Sequence, residues 1–250
     1  MQLKHFRQLD IYHTNVFKNH FWIRARFNEL CKLLRYKKIS IHKNEKILDI
    51  GVGRGILAEQ LFDKFKIKID LNELKKVFFS KYITKSKYKN FYYGNFLKVK
   101  FKKKYDKIFL FDVIEHLSKN NLSNFFFKIN NMLNKDGLVI INVPSLSFLY
   151  SKYDEAIGHN KRYRIKDFYD LSKKFRFEII YVSYWGLFYI PLLLLRKFYS
   201  FFSSKNIVSN SFKVNNEMLN YLLFKLYSLE TFLVRVPCGT SIICILKKMK

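Results

Sequence analysis

The sequence predicts an α/β fold, a doubly wound and mostly parallel sheet, from three observations. Short apolar runs alternate along the chain with stretches of helical period, the pattern of successive strand–helix–strand units. One of those runs, Lys46–Ile50, passes straight into glycines at 51, 53 and 55 and then into Ile56, Leu57 and Ala58, as a parallel strand does where it hands over to a helix around a ligand. A carboxylate, Asp70, closes the next apolar run, about 20 residues on, where an acid that binds a ribose is expected.

Taken in order, Lys46–Ile50 is the first strand, and Gly51, Gly53 and Gly55 let the backbone turn sharply and lie bare against a ligand. The stretch Phe65–Asp70 alternates as a second strand, and Asp70 also suits the N-cap of a helix starting at Leu71. Tyr105–Asp112 reads as the fourth strand and Leu138–Val143 as the fifth, after Asn134–Gly137 ends a helix. Phe177–Ser183 supplies a further strand. At 250 residues the chain suits one substantial core. Within it, 1–45 is expected to form an N-terminal helical cap, 46–183 the cofactor-binding part, 184–235 an apolar helical insertion and 236–250 the final strand.

Spacing decides between cofactors. A dinucleotide fingerprint is G-x-G-x-x-G with a pyrophosphate on the helix N-terminus, whereas this chain has Asp49-Ile-Gly-Val-Gly-Arg-Gly55. Asp49 would repel a pyrophosphate and suits a cation. Here the sequence resembles the class I S-adenosylmethionine-dependent methyltransferases, whose first motif is D/E-x-G-x-G-x-G. The resemblance implies a Rossmann-like sheet of seven strands, with Asp49 near the amino end of the methionine moiety and Asp70 on the ribose. Phe91–Leu97 occupies the place of the family's third motif, so Asn95 and Phe96 are expected at the adenine. Asn95 replaces the usual acid, and its carbonyl oxygen still accepts a hydrogen bond. Asp112, at the end of the fourth strand, joins the expected cofactor contacts.

Methyl transfer from a sulfonium is an in-line displacement, so the protein must hold the acceptor close and in line; a hydroxyl acceptor also needs a base or a metal. Asp112-Val-Ile-Glu-His116, read as a helix start, puts Asp112, Glu115 and His116 on one face. The segment is similar to the E-x-x-E-H segment of the ubiquinone-biosynthesis O-methyltransferases and the small-RNA 3′-terminal 2′-O-methyltransferases, where it contributes to a divalent-metal site. That implies Glu115, His116 and His159 as ligands of Mg2+ or Mn2+. The alternative is a metal-free turn in which Glu115 and His116 line the pocket.

Asp154 and Gly158-His-Asn-Lys-Arg-Tyr163 resemble the D-x-x-x-G-H-x-R-R-Y pattern of a methyltransferase group found near glycan- and lipid-assembly genes. His159 is then a candidate base, with Glu115 and His116 beside it as catalytic candidates. Lys161, Arg162 and Tyr163 are candidates to grip a phosphate or carboxylate of the acceptor. The alternative is a joint in which Asp154 pairs with Arg162. Asn19–Arg26 matches that group's N-terminal covering helix, which makes Trp22 and Arg26 substrate-side candidates, and Val236–Leu246 matches its final P-x-G-x-S strand.

The net charge is +28, which suits anionic partners, but the lysines are scattered, and an A/T-rich coding bias gives the same Lys, Asn, Ile, Phe and Tyr excess. Cys31, Cys238 and Cys244 show neither metal-ligand nor C-x-x-C spacing. The N-terminus lacks the apolar core of a signal peptide, and a cytoplasmic location is expected. Trp185–Leu195 is apolar but too short to span a membrane, and Arg196, Lys197 and then Phe198–Phe202 follow it; the stretch suits either a membrane interface, at the inner face, or a core helix packed against the segment from Met218. The expected activity is O-methylation of a small, lipid-linked or saccharide acceptor. An RNA 2′-O-methyltransferase is the enzymatic alternative, though no RNA-binding aromatic motif is present and nucleic acid is the less favoured partner. An inactive cofactor-binding subunit is the third reading.

Overall fold

The structure, a computed structural model, describes residues 18–74, 84–202, 214, 216–233 and 235–249. The helices are α1 (Phe21–Tyr36), α2 (Ile56–Phe65), α3 (Lys119–Met132), α4 (Lys152–Ile157), α5 (Ile165–Phe175), α6 (Ile190–Phe202) and α7 (Glu217–Glu230). The strands are β1 (Ile47–Ile50), β2 (Ile69–Glu73), β3 (Tyr88–Tyr93), β4 (Tyr105–Phe111), β5 (Leu133–Pro144), β6 (Phe177–Trp185) and β7 (Ser241–Lys248). They form one seven-stranded sheet in the order β3-β2-β1-β4-β5-β7-β6. All neighbours run parallel except β7, which is antiparallel to both β5 and β6.

Alternation along each strand divides the core between two faces. Leu48, Ile108, Leu110, Val139 and Ile141 pack on one side with Phe126 of α3 and Phe168 of α5. Ile47, Phe109, Ile140 and Ile243 pack on the other with Leu33 of α1 and Leu61 of α2. Strand order reverses between β1 and β4, so their carboxyl ends part and open a crevice there.

Several sequence expectations shift. The second strand begins at Ile69 and ends at Glu73, because Lys66 takes a left-handed φ of 54° and closes α2. Asp70 is therefore mid-strand and caps no helix; the rest of the helix expected after Leu71 lies beyond Leu74, outside the described residues. The helix before the fifth strand stops at Met132, and β5 starts at Leu133. Asp112 opens no helix: its φ is 57°, and Ile114–His116 is a single tight turn. Trp185 ends β6 fully buried, which removes it from any membrane interface. No helix of the described residues is long and apolar enough to cross a membrane. The loop expected over 203–211 and the first 17 residues of the expected cap lie outside the described residues.

Candidate active site

The crevice at the ends of β1, β2 and β4 has a volume of about 1270 Å³. Its floor is the glycine turn. Gly51, Gly53 and Gly55 have φ of 71°, 55° and 76°, a region that favours glycine. At Gly51 a Cβ would also lie 2.6 Å from Cγ2 of Val113, whereas nothing lies within 4 Å of one built on Gly53. Gly51 is thus fixed by packing as well as by φ, and Gly53 by φ alone on the open side of the turn.

Two acids face this floor. Asp49 is only 3% exposed and lines the crevice; burial pushes its carboxyl up to about 8, with Arg26 opposing and Glu73 reinforcing the shift. Glu73, the last residue of β2, accepts a hydrogen bond from the Gly53 amide at 2.7 Å and also lines the crevice. Asp70 does not reach it. One of its carboxylate oxygens accepts from the Tyr105 hydroxyl at 2.8 Å and the other from the Asn90 amide at 2.9 Å, with Lys103 at 2.8 Å. The ribose role expected of Asp70 therefore fails on position, and the strand-end acid is Glu73. A strand that runs three residues further, to Glu73, is the signal that would have found it. Asn95 and Phe96 do line the crevice; Asn95 Oδ1 accepts from the Leu97 amide at 2.9 Å, and Phe96 packs on Phe125.

Trp22 and Arg26 sit four apart on α1, hence on one helix face, and both line the crevice. A closed circuit joins them to the strand ends. Trp22 stacks on Trp185 with ring centroids 4.6 Å apart. The Trp185 indole N–H donates to Asn142 at 2.9 Å, Asn142 donates to Asp112 at 2.8 Å, and Asp112 pairs with Arg26. Sequence reading named Trp22, Arg26 and Asp112 but not Trp185 or Asn142, whose roles exist only across the sheet.

The opposite wall carries Glu115, His116 and His159, whose ligand-type atoms all lie within 4.8 Å of one another. Glu115 is fully buried, and neither of its carboxylate oxygens has a hydrogen-bond partner among the described residues. Burial, aided by nearby Asp112, holds its carboxyl well above the usual range. His159 Nε2 lies 3.8 Å from Glu115, and its Nδ1 lies 3.0 Å from Asp154. His116 Nδ1 meets the Gly158 carbonyl at 3.0 Å; desolvation and the neighbouring His159 hold its imidazole below its ordinary value.

The three following motif residues turn away from the crevice, correcting their expected grip on the acceptor. Lys161 pairs with Asp167 at 3.1 Å and lies over the Tyr163 ring. Arg162 is buried, with one nitrogen 2.9 Å from Asp154 and another donating to the Ser145 carbonyl at 3.1 Å. Tyr163 is in the core, its hydroxyl donating to the Ile114 carbonyl at 3.0 Å. Arg162 takes the Asp154 pairing that the sequence left as the alternative, whereas Lys161 stays half-exposed beside Asp167.

A family model described as AdoMet dependent proline di-methyltransferase matches residues 18–172. No curated protein sequence matches. Among solved structures, the phosphoethanolamine N-methyltransferase 2 of Haemonchus contortus, in complex with S-adenosyl-L-methionine, is similar with a TM-score of 0.58 at 18% identity, over 89% of this chain and 52% of that one. This chain thus spans about half the length of the nematode protein. A SAM-dependent methyltransferase from Archaeoglobus fulgidus is similar with a TM-score of 0.54 at 16% identity, over 88% of this chain and 94% of that one. One from Clostridium acetobutylicum gives 0.57 at 13%, over 91% and 92%.

Proposed function

Since the chain belongs to the AdoMet dependent proline di-methyltransferase family and is an S-adenosylmethionine-dependent methyltransferase, we propose that it methylates the nitrogen of a small amine, with His159 as base. The observation that carries this reading is the pair of imidazoles, His116 and His159, on the crevice wall, placed to take a proton from an ammonium. Glu155 lines the same wall, and its carboxylate attracts a cation, while Arg162 is spent on Asp154.

The cofactor half fits the residues present. S-adenosylmethionine supplies a methyl group on a sulfonium, a cation ready for displacement. Asp49, forced up by burial to about 8, gains most from a cationic amino group. Glu73 offers a carboxylate at the rim of the glycine turn, where ribose hydroxyls donate. Asn95 and Phe96 give an amide and an apolar ring for a base. His159 would take the proton from the acceptor ammonium and so free the nitrogen lone pair for the methyl group that the cofactor would supply. Arg26 and Trp22, closing the mouth from α1, exclude water.

A second reading keeps the oxygen acceptor expected from sequence, and one observation favours it: Glu115, His116 and His159 present one carboxylate and two imidazoles to a common point. That donor set fits a divalent cation, which lowers the pKa of a bound hydroxyl. A lipid-linked acceptor at a membrane is supported by exposed Leu194, Leu195 and Phe198 on α6.

Methyl-labelled cofactor offered with proline, a peptide with a free N-terminal proline, phosphoethanolamine, and hydroxyl-bearing lipids and saccharides tests the choice. Label on nitrogen is the expected result, lost in His159→Ala with cofactor affinity kept. Label only on oxygen overturns it.

A further inference from the structure

The residues around His159 converge on it from three directions. Its backbone N–H donates to the Asp154 carbonyl at 2.8 Å, its carbonyl accepts from the Tyr150 hydroxyl at 2.8 Å, and its ring Nδ1 meets the Asp154 carboxylate at 3.0 Å. Asp154 is fully buried. Its oxygens already accept from the Ser151 amide at 3.0 Å, the Ser151 hydroxyl at 3.2 Å and the Arg162 guanidinium at 3.1 Å. These three donors, one of them the Arg162 cation, hold the carboxylate ionised and acceptor-only, so the proton between Asp154 and His159 belongs to the imidazole. Arg162 is anchored in turn on the Ser145 carbonyl at the end of β5, and Tyr163 holds the Ile114 carbonyl beside Glu115.

We propose that Asp154 and Arg162 are a buried positioning pair that fixes His159 as the Nδ1–H tautomer, with the Nε2 lone pair presented at the crevice wall beside Glu115. The motif segment 158–163 is then a positioning device for the base, whereas its cations looked from sequence like a grip on the acceptor. This deepens the proposed function and rests on His159 as the base; it holds equally whether Nε2 takes a proton or faces a cation. Orientation of a base through its second ring nitrogen is what a carboxylate there provides.

The test is long-range 1H–15N correlation on 15N-histidine-labelled full-length protein, with His159 assigned by the resonance lost in His159→Gln. The expected wild-type pattern is a single Nδ1–H tautomer for His159. Asp154→Asn is expected to convert it to Nε2–H or a mixture and to lower kcat by about 10–100-fold, with the KM for cofactor unchanged. Asp154→Glu is expected to restore both in part. A wild-type Nε2–H tautomer overturns the inference even where the Asn variant fails to fold, as does an Asn variant with an unaltered tautomer. Full turnover in His159→Gln overturns the base reading instead and leaves the tautomer result standing on its own.

Discussion

The Gly53 amide donates to Oε2 of Glu73 at 2.7 Å, so the glycine turn after β1 is tied to the last residue of β2. This one bond sets the rim of the crevice. It also separates two acids three residues apart, because Glu73 reaches the rim while Asp70 is consumed inside the sheet by Tyr105, Asn90 and Lys103.

Glu73→Ala is therefore expected to weaken S-adenosylmethionine binding by about 1–3 kcal/mol, roughly 10–100-fold, since charged hydrogen bonds are lost without a substitute. Asp70→Asn is expected to leave affinity alone and lower stability by about 1–3 kcal/mol, because buried donors lose their acceptor. Calorimetric titration alongside thermal melting reads both. The reverse assignment, affinity lost at Asp70 and stability at Glu73, would restore the sequence expectation.

How much was legible follows from what each residue answers to. The glycine turn was readable because Gly51, Gly53 and Gly55 answer to local backbone geometry. The apolar runs that alternate with helical stretches were readable because they too answer to local pattern. Glu73 was missed because the alternation of Ile67, Ile69 and Leu71 singles out Asp70 and says nothing of where the strand ends, whereas α2 closes only at the left-handed Lys66 and β2 runs on to Glu73. Arg162 and Tyr163 were misread because motif spacing places a residue on a segment and says nothing of which way it faces. For Trp185 the apolar neighbours left interface and core both open, and the choice is made by Asn142 and Trp22, which claim its indole.

Asp49 makes binding pH-linked. Burial lifts its carboxyl in the folded state to about 8 from an ordinary 3.8, so between those values the folded state holds the extra proton. The stability this gives is full below the lower value and is lost as pH rises through about 8. A cationic ligand reverses the shift, and cofactor binding at about pH 6.5 is expected to release a proton from Asp49. Titration in two buffers of different ionisation enthalpy measures that proton, and Asp49→Asn is expected to abolish its release. Equal apparent enthalpies in both buffers for the wild type would remove Asp49 from the cofactor site.

The Arg26–Asp112 pair joins the covering helix to the end of β4. It is part-exposed, so its direct contribution to stability is small, about 1 kcal/mol or less. Its larger effect is on escape from the crevice. Arg26→Ala is expected to raise the cofactor dissociation rate several-fold while leaving the melting temperature nearly unchanged, and raised salt is expected to mimic it weakly. Stopped-flow displacement measures the rate. A large drop in melting temperature with no change in dissociation would make the pair structural only.

Chelation separates the two acceptor chemistries. With His159 acting as base for an amine, activity is expected to be indifferent to a chelator. With an oxygen acceptor activated at Glu115, His116 and His159, chelation is expected to abolish turnover, and Mg2+ or Mn2+ to restore it. Steady-state assays before and after chelator treatment distinguish these outcomes without knowledge of the natural acceptor.

The apolar face of α6 gives the last prediction. Leu194, Leu195 and Phe198 are exposed, whereas Leu193 just before them is buried and Arg196 lies over the Tyr153 ring. Phe148 joins the exposed group from the turn that precedes α4. That places an apolar surface next to the acceptor wall, since Tyr150 and Glu155 line the crevice from the same segment. If this surface enters a lipid interface, anionic vesicles are expected to co-sediment the protein, with salt weakening but not abolishing the association. The discriminating variant replaces Leu195 and Phe198 with Ser. It leaves Leu193 and the packing of Tyr153 intact, so release from vesicles with an unchanged melt supports the interface. Unchanged sedimentation in that variant would assign any vesicle binding to the scattered lysines instead.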